Sequence, residues 1–212
     1  MKTPLTLRLC YVSLATLVAA VHAATPAPAL GAPVPATITE CDRRASHPED
    51  PDRVVPGLER VDMDLQAALL ACEQQHAKDP QDLRARYELA RVLFYLGRNA
   101  EAIPQMRATA DAGYRQAQFV YGAMISNGRN AAPKDLCITE HYWAASARAG
   151  RQAARISYVR HTLKGRFDKC PNRVSPEELR DFITIAGKSA HDYYERLLVE
   201  DLIERLDSTT RD

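Results

Sequence analysis

An Ala-Gly pair recurs three times at equal intervals of 37 residues, as Ala112-Gly113, Ala149-Gly150 and Ala186-Gly187. A fixed period of about 20–50 residues marks stacked supersecondary units, none of which can bury its apolar face alone. After each glycine a small or polar residue leads into a new helical run. Gln116-Ala117-Gln118-Phe119 aligns with Ala153-Ala154-Arg155-Ile156 and, less closely, with Ala190-His191-Asp192-Tyr193. Glycine suits a left-handed helix C-cap, where a Cβ would clash.

The pattern between these pairs is helical. Leu65, Ala68, Leu69 and Cys72 recur at three- and four-residue steps and define one buried face. Pro80 ends that helix. The next runs from about 83 to 96, with Leu89, Val92 and Leu93 inward, and Gly97 breaks it. Another helix starts near Asn99 and turns Ala102, Ile103 and Met106 inward. No segment alternates with period two, so no strand is expected. Before Val61 the chain differs. Ala24 to Ala36 is an Ala/Pro-rich linker, and Cys41 to Pro56 carries Pro48, Pro51 and Pro56 among charges. Those prolines forbid a long helix, so the segment reads as an ordered loop held by Cys41.

The N-terminus reads as an export signal. Lys2 and Arg8 form a basic start, Leu9 to Ala20 is mostly apolar, and Val21-His22-Ala23 suits signal peptidase. The apolar run is shorter than the about 20 residues that span a bilayer core. Residues 1–23 are therefore expected to be removed, taking Cys10 with them, and no membrane span is expected to remain. Residues 24–37 form the linker and 38–212 the folded domain. Four cysteines are left: Cys41, Cys72, Cys137 and Cys170. In an oxidising compartment an even count suggests two disulfides, and four cysteines allow three pairings. Cys41–Cys72 with Cys137–Cys170 closes the shortest loops and joins near neighbours of a repeat stack. Free buried thiols are the alternative.

Leu89-Ala90-x-x-Leu93, Gly97 and Ala102 resemble the tetratricopeptide repeat. Ala110 to Gly122, read as Ala-x-Ala-Gly-x-x-x-Ala-Gln-x-x-x-Gly, resembles the Sel1-like repeat, and Gly128, Asp135, Trp143 and Ala147-Arg148-Ala149-Gly150 continue it. Cys41-Asp42-Arg43 through Asp50-Pro51-Asp52-Arg53 and Gly57 to Ala71-Cys72-Glu73 is similar to a lead-in found before such repeats in exported bacterial proteins. The resemblance covers about residues 41–198. It implies an all-α fold, a right-handed α-solenoid of stacked antiparallel helical hairpins. The last copy lacks the second glycine and is interrupted by Pro171 and Pro176; a deviant end repeat is expected where a solenoid is capped.

Chemistry-bearing constellations are weak. Gly187-Lys188-Ser189 mimics the end of a P-loop, but Phe182 stands where the first glycine belongs and no strand precedes it. Cys137, His141, His161 and Cys170 could hold zinc, yet the spacing fits no common module and a disulfide competes for both sulfurs. His47, His76 and His191 have no evident partner. Ser126, Ser146, Ser157 and Ser175 lie in no Gly-x-Ser-x-Gly elbow. Glu101 with Glu140, or Glu177 with Glu178, read as solvated helix faces rather than acid/base pairs. Tyr142 and Trp143 read as packing aromatics. The expectation is no enzyme, no cofactor and no metal.

A surface carries the functional expectation. Stacked hairpins curve, and their first helices line a concave groove. In the tetratricopeptide register anchored on Leu89, the groove positions are Arg84, Tyr87, Arg91 and Tyr95, then Gln116, Asn127, Arg160 and Lys164. Arginine among tyrosines and amides suits an extended acidic peptide or a terminal carboxylate. The net charge of only +1 gives no field toward nucleic acid. The resemblance implies an adaptor or regulatory module, periplasmic or secreted, binding a protein or peptide. The alternative class is a cell-wall or β-lactam hydrolase of the cysteine-rich Sel1-like type, whose cysteines pair within every repeat; these four do not.

Overall fold

A computed structural model describes residues 37–128 and 132–209. The expected signal peptide at 1–23, and the linker up to residue 36, lie outside the described residues. The described chain is all-helical, with no strand: α1 (Glu40–Ala45), α2 (Leu65–Lys78), α3 (Leu83–Tyr95), α4 (Asn99–Asp111), α5 (Arg115–Asn127), α6 (Leu136–Arg148), α7 (Gln152–Thr162), α8 (Pro176–Lys188) and α9 (Tyr193–Thr209). Each helix from α1 onward packs on the next in sequence, and α1 also reaches α3. No described helix is long and apolar enough to cross a membrane.

Local sequence explains the helix ends. Asp64, Asp82 and Asp135 each accept two backbone N–H bonds from the first turn of α2, α3 and α6. Ser175 caps α8, with Pro176 at its first position. Gly97, Gly113 and Gly150 adopt positive φ of 78°, 92° and 93° at the turns after α3, α4 and α6. In α4 and α6 this frees the chain to reverse between successive repeats. The third copy differs: Gly187 lies inside α8, which continues to Lys188. An added Cβ there would sit 3.3 Å from Val199 Cγ1, so this glycine serves close approach of α8 and α9 rather than a turn. Repeat equivalence persists in hydrogen bonding. Gln118 Nε2 donates to Ala110 O at 3.3 Å, and 37 residues on Arg155 Nε donates to Ala147 O at 3.2 Å.

The core runs through the stack in three clusters, around Cys72 and Leu93, around Tyr87 and Tyr121, and around Trp143 and Tyr158. Gly122 lets Trp143 lie against α5: a Cβ there would stand 2.6 Å from the indole. Trp143 Nε1 donates to Phe119 O at 3.0 Å. Glu140 departs from the expected solvated face. It is buried and accepts a bond from the Tyr158 hydroxyl, because α6 is covered on that side by α7. Two disulfides join Cys41 to Cys72 and Cys137 to Cys170, with Cα–Cα separations of 4.6 and 5.1 Å. The sulfurs considered for zinc are therefore joined to each other.

Candidate functional site: a helix face and the segment laid across it

Residues 37–58 form a strap over the first helices of the stack. Helix α1 begins it: Thr39 and Asp42 form a reciprocal capping box. The helix is short because Pro48 follows two residues after its C-cap, Ser46. The chain then makes a closed loop. Leu58 N donates to Ser46 O at 2.9 Å, and Gly57 is packed so tightly that a Cβ would stand 2.2 Å from Pro48 N. No side chain fits at residue 57. The buried Cys41–Cys72 bond ties the strap to α2.

The strap lies on the residues expected to line the groove. Arg84 is 1% exposed; its guanidinium engages Asp42 and also donates to Thr37 O at 3.3 Å. Arg91, 3% exposed, clamps both ends of the loop. Its Nη1 donates to Ala45 O and Ser46 O at 2.8 and 2.9 Å, and Nη2 to Leu58 O at 2.6 Å. Tyr95 packs against Arg91, with the guanidinium 5.1 Å from the ring centre. Tyr87 and Gln116 are buried together, Gln116 Nε2 donating to the Tyr87 hydroxyl at 3.2 Å. The open groove expected over Arg84, Tyr87, Arg91 and Gln116 is thus a closed seam. The reason is complementarity within the chain: an acidic, proline-bearing segment tethered by Cys41–Cys72 occupies these arginines.

The seam extends to the next repeats. The Tyr114 hydroxyl donates to Asp50 Oδ2 at 2.8 Å. Arg115 grips Asp52 with two bonds, at 2.8 and 2.5 Å, and its third nitrogen donates to Ala149 O at 2.9 Å. Arg151 Nε donates to Gln116 Oε1 at 2.6 Å, and its guanidinium lies 5.4 Å from the Phe119 ring centre. Tyr114 and Arg151 occupy the N-cap positions of α5 and α7, which have no side-chain cap. Their side chains bond Asp50 and Gln116 instead.

Burial makes the seam electrostatically unusual. Glu88 is 1% exposed, one oxygen accepting from Ser46 Oγ at 2.7 Å and the other without a hydrogen-bond partner. A Glu88 carboxyl oxygen lies within 4.8 Å of the Cys41 and Cys72 sulfurs. Burial first, then the nearby Asp42, pushes its pKa up to about 8. Burial likewise raises Asp50 to about 6. His47 is lowered to about 4 by burial and by the Arg91 and Arg151 guanidinium groups.

The remaining predicted positions stay outside the seam. Asn127 is exposed and its Nδ2 donates to Ala123 O at 3.2 Å. Arg160 is exposed in the last turn of α7, and Lys164 is exposed in the turn just beyond it. Asp42, Asp50, Asp52, Glu88, Tyr114, Arg115 and Arg151 were not among the positions named from the groove register. The signal for them was the acidity of residues 42–52 beside Cys41, together with the basic face of α3. No protein-family model matches the chain, and no curated protein matches it.

Proposed function

We propose that this chain is a non-catalytic protein-interaction module of the bacterial envelope, exported and braced by its disulfides. Its hairpins form a right-handed superhelix of the Sel1-like and tetratricopeptide kind, and its inner face receives extended acidic segments of protein. One observation carries this reading. The helix stack already holds such a segment in cis, taking its carbonyls on Arg91 and its carboxylates on Arg84 and Arg115. Periplasmic or secreted location is supported by the two disulfides, which persist in oxidising compartments. The cysteine-rich hydrolase class is not favoured by the bonding pattern. One bridge ties the strap to α2 and the other ties α6 to the turn region before α8, so they do not recur repeat by repeat.

The test is site-specific photo-crosslinking in the native envelope. A photoreactive residue at position 160, on the inner face, is expected to capture a defined protein. One at position 107, exposed on α4, is expected to capture none. Capture from α4 alone, or turnover of nitrocefin by the purified protein, would refute the reading.

A further inference from the structure

Helices α3, α5 and α7 are the first helices of successive hairpins, and their first residues follow Asp82, Tyr114 and Arg151. Counting from those caps, Arg91 of α3 corresponds to Ala123 of α5 and to Arg160 of α7. In the same register Tyr95 corresponds to Asn127 and Lys164. The α5 position is small and half-buried against the core. The α7 position is again an arginine, and it is exposed. The repeat therefore presents the clamp residue twice. One copy closes on the strap; the other faces solvent.

The surroundings of the second copy are cationic. Arg160 in the last turn of α7 and Lys164 in the turn beyond it are exposed, with Arg166 half-buried two residues further on, and all three charges help lower the pKa of His161, after the larger effect of burial. Arg166 is anchored by donating to Ser126 O at 3.2 Å. Among the described residues Arg160, Lys164 and Arg166 make no ion pair, whereas Arg84, Arg98, Arg115 and Arg148 each do. One carboxylate lies in the same turn, Asp168, and Arg173 engages it at 2.9 Å. A helix C-terminus favours one or two cations in its last turn. Two further cations beyond it, Lys164 and Arg166, exceed that need.

We infer that Arg160, Lys164 and Arg166 form a second segment-binding seat, repeat-equivalent to the Arg91 clamp, which takes an acidic extended segment from another protein. This rests on the interaction-module reading above and names its site and the chemistry of its partner. In the strap the Arg91 guanidinium takes backbone carbonyls, while the aspartates of the same segment go to Arg84, Tyr114 and Arg115. Charge-assisted bonds to carboxylate set the preference, and they weaken with salt where exposed. A duplex nucleic acid is the less favoured occupant, because the whole chain carries a net charge of only +1.

The probe is a fluorescein-labelled peptide of the strap's own sequence, residues 46–58, followed by anisotropy with the full, oxidised chain. The α3 seat is filled in cis, so a peptide added in trans meets α7. Binding is expected, and it is expected to weaken about tenfold or more in Arg160→Gln with Lys164→Gln. A twin peptide with Glu49, Asp50 and Asp52 as amides is expected to bind as weakly. Lys188→Gln with Arg196→Gln, exposed on α8 and α9, is expected to leave binding unchanged. Circular dichroism confirms that each variant is folded. Absence of peptide binding, equal binding to the Arg160/Lys164 variant, or Arg160-dependent binding of duplex DNA in place of peptide would each overturn the proposal. A native partner crosslinked elsewhere on the inner face, with no peptide binding at α7, would sink this seat while leaving the interaction module standing.

Discussion

Glu88→Gln isolates the most unusual group in the seam. The acid is buried under the strap with one oxygen unpartnered, and its pKa is raised from 4.5 to about 8. With the strap closed the carboxyl keeps its proton up to about pH 8; once exposed it loses it near 4.5. Between those values the closed state binds one more proton, so closure weakens as pH rises, by about 1.4 kcal/mol per unit. Below 4.5 the group has no effect, and above about 8 the full penalty is present. Two neighbours overlap part of this range. Asp50, raised to about 6, acts with the same sign but at lower pH. His47, lowered to about 4, acts oppositely between 4 and 6.5. From pH 6.5 to 8 only Glu88 of the three titrates, and closure loses about 1–2 kcal/mol across that window. The assay is hydrogen exchange of the Leu58 amide, which donates to Ser46 O and reports the neck of the loop. After correction for intrinsic rates, the wild-type opening constant is expected to rise about tenfold over the window, and that of Glu88→Gln to stay flat. Identical pH dependence in the two proteins would refute the argument, since every other group is common to both.

Two further substitutions test the packing. Gly122→Ala places a methyl 2.6 Å from the Trp143 indole, and a loss of about 1–3 kcal/mol is expected by urea unfolding, with a shifted tryptophan emission; an unchanged midpoint would mean that α5 and α6 are not in close contact. Replacing Cys41 and Cys72 together by Ala opens a loop spanning 31 residues, with an expected cost of about 3–4 kcal/mol and faster tryptic cleavage after Arg53. If cleavage were no faster, the charged contacts alone would hold the strap.

The sequence made the stack legible because its signals are local. Asp at helix starts, Gly at turns and three- and four-residue apolar spacing each act within one hairpin, and the 37-residue period adds the order of hairpins. The two disulfides followed from the same neighbour logic. The basic and aromatic residues picked out on α3 do lie together, under the strap. What could not be read was where that segment comes from. Asp42 meets Arg84 and Asp50 meets Tyr114 across long stretches of chain, and nothing periodic links them. Glu140 was misplaced for a related reason, since its burial depends on Tyr158 of the following hairpin. Gly187 kept the repeat spacing but not the repeat conformation, because α8 runs on past it to meet α9.

A stack whose units touch only their nearest neighbours bends like a coil spring, each junction adding a little compliance. The strap changes the mechanics. It is fastened by covalent bond to α2, by guanidinium to α3 and by Asp52 to Arg115, which in turn holds the carbonyl of Ala149 at the start of the third hairpin. It thus acts as a splint along the first half of the stack. The second bridge, Cys137–Cys170, joins α6 only to the turn region before α8. Arg160 and Lys164, both exposed, lie beyond the end of that splint.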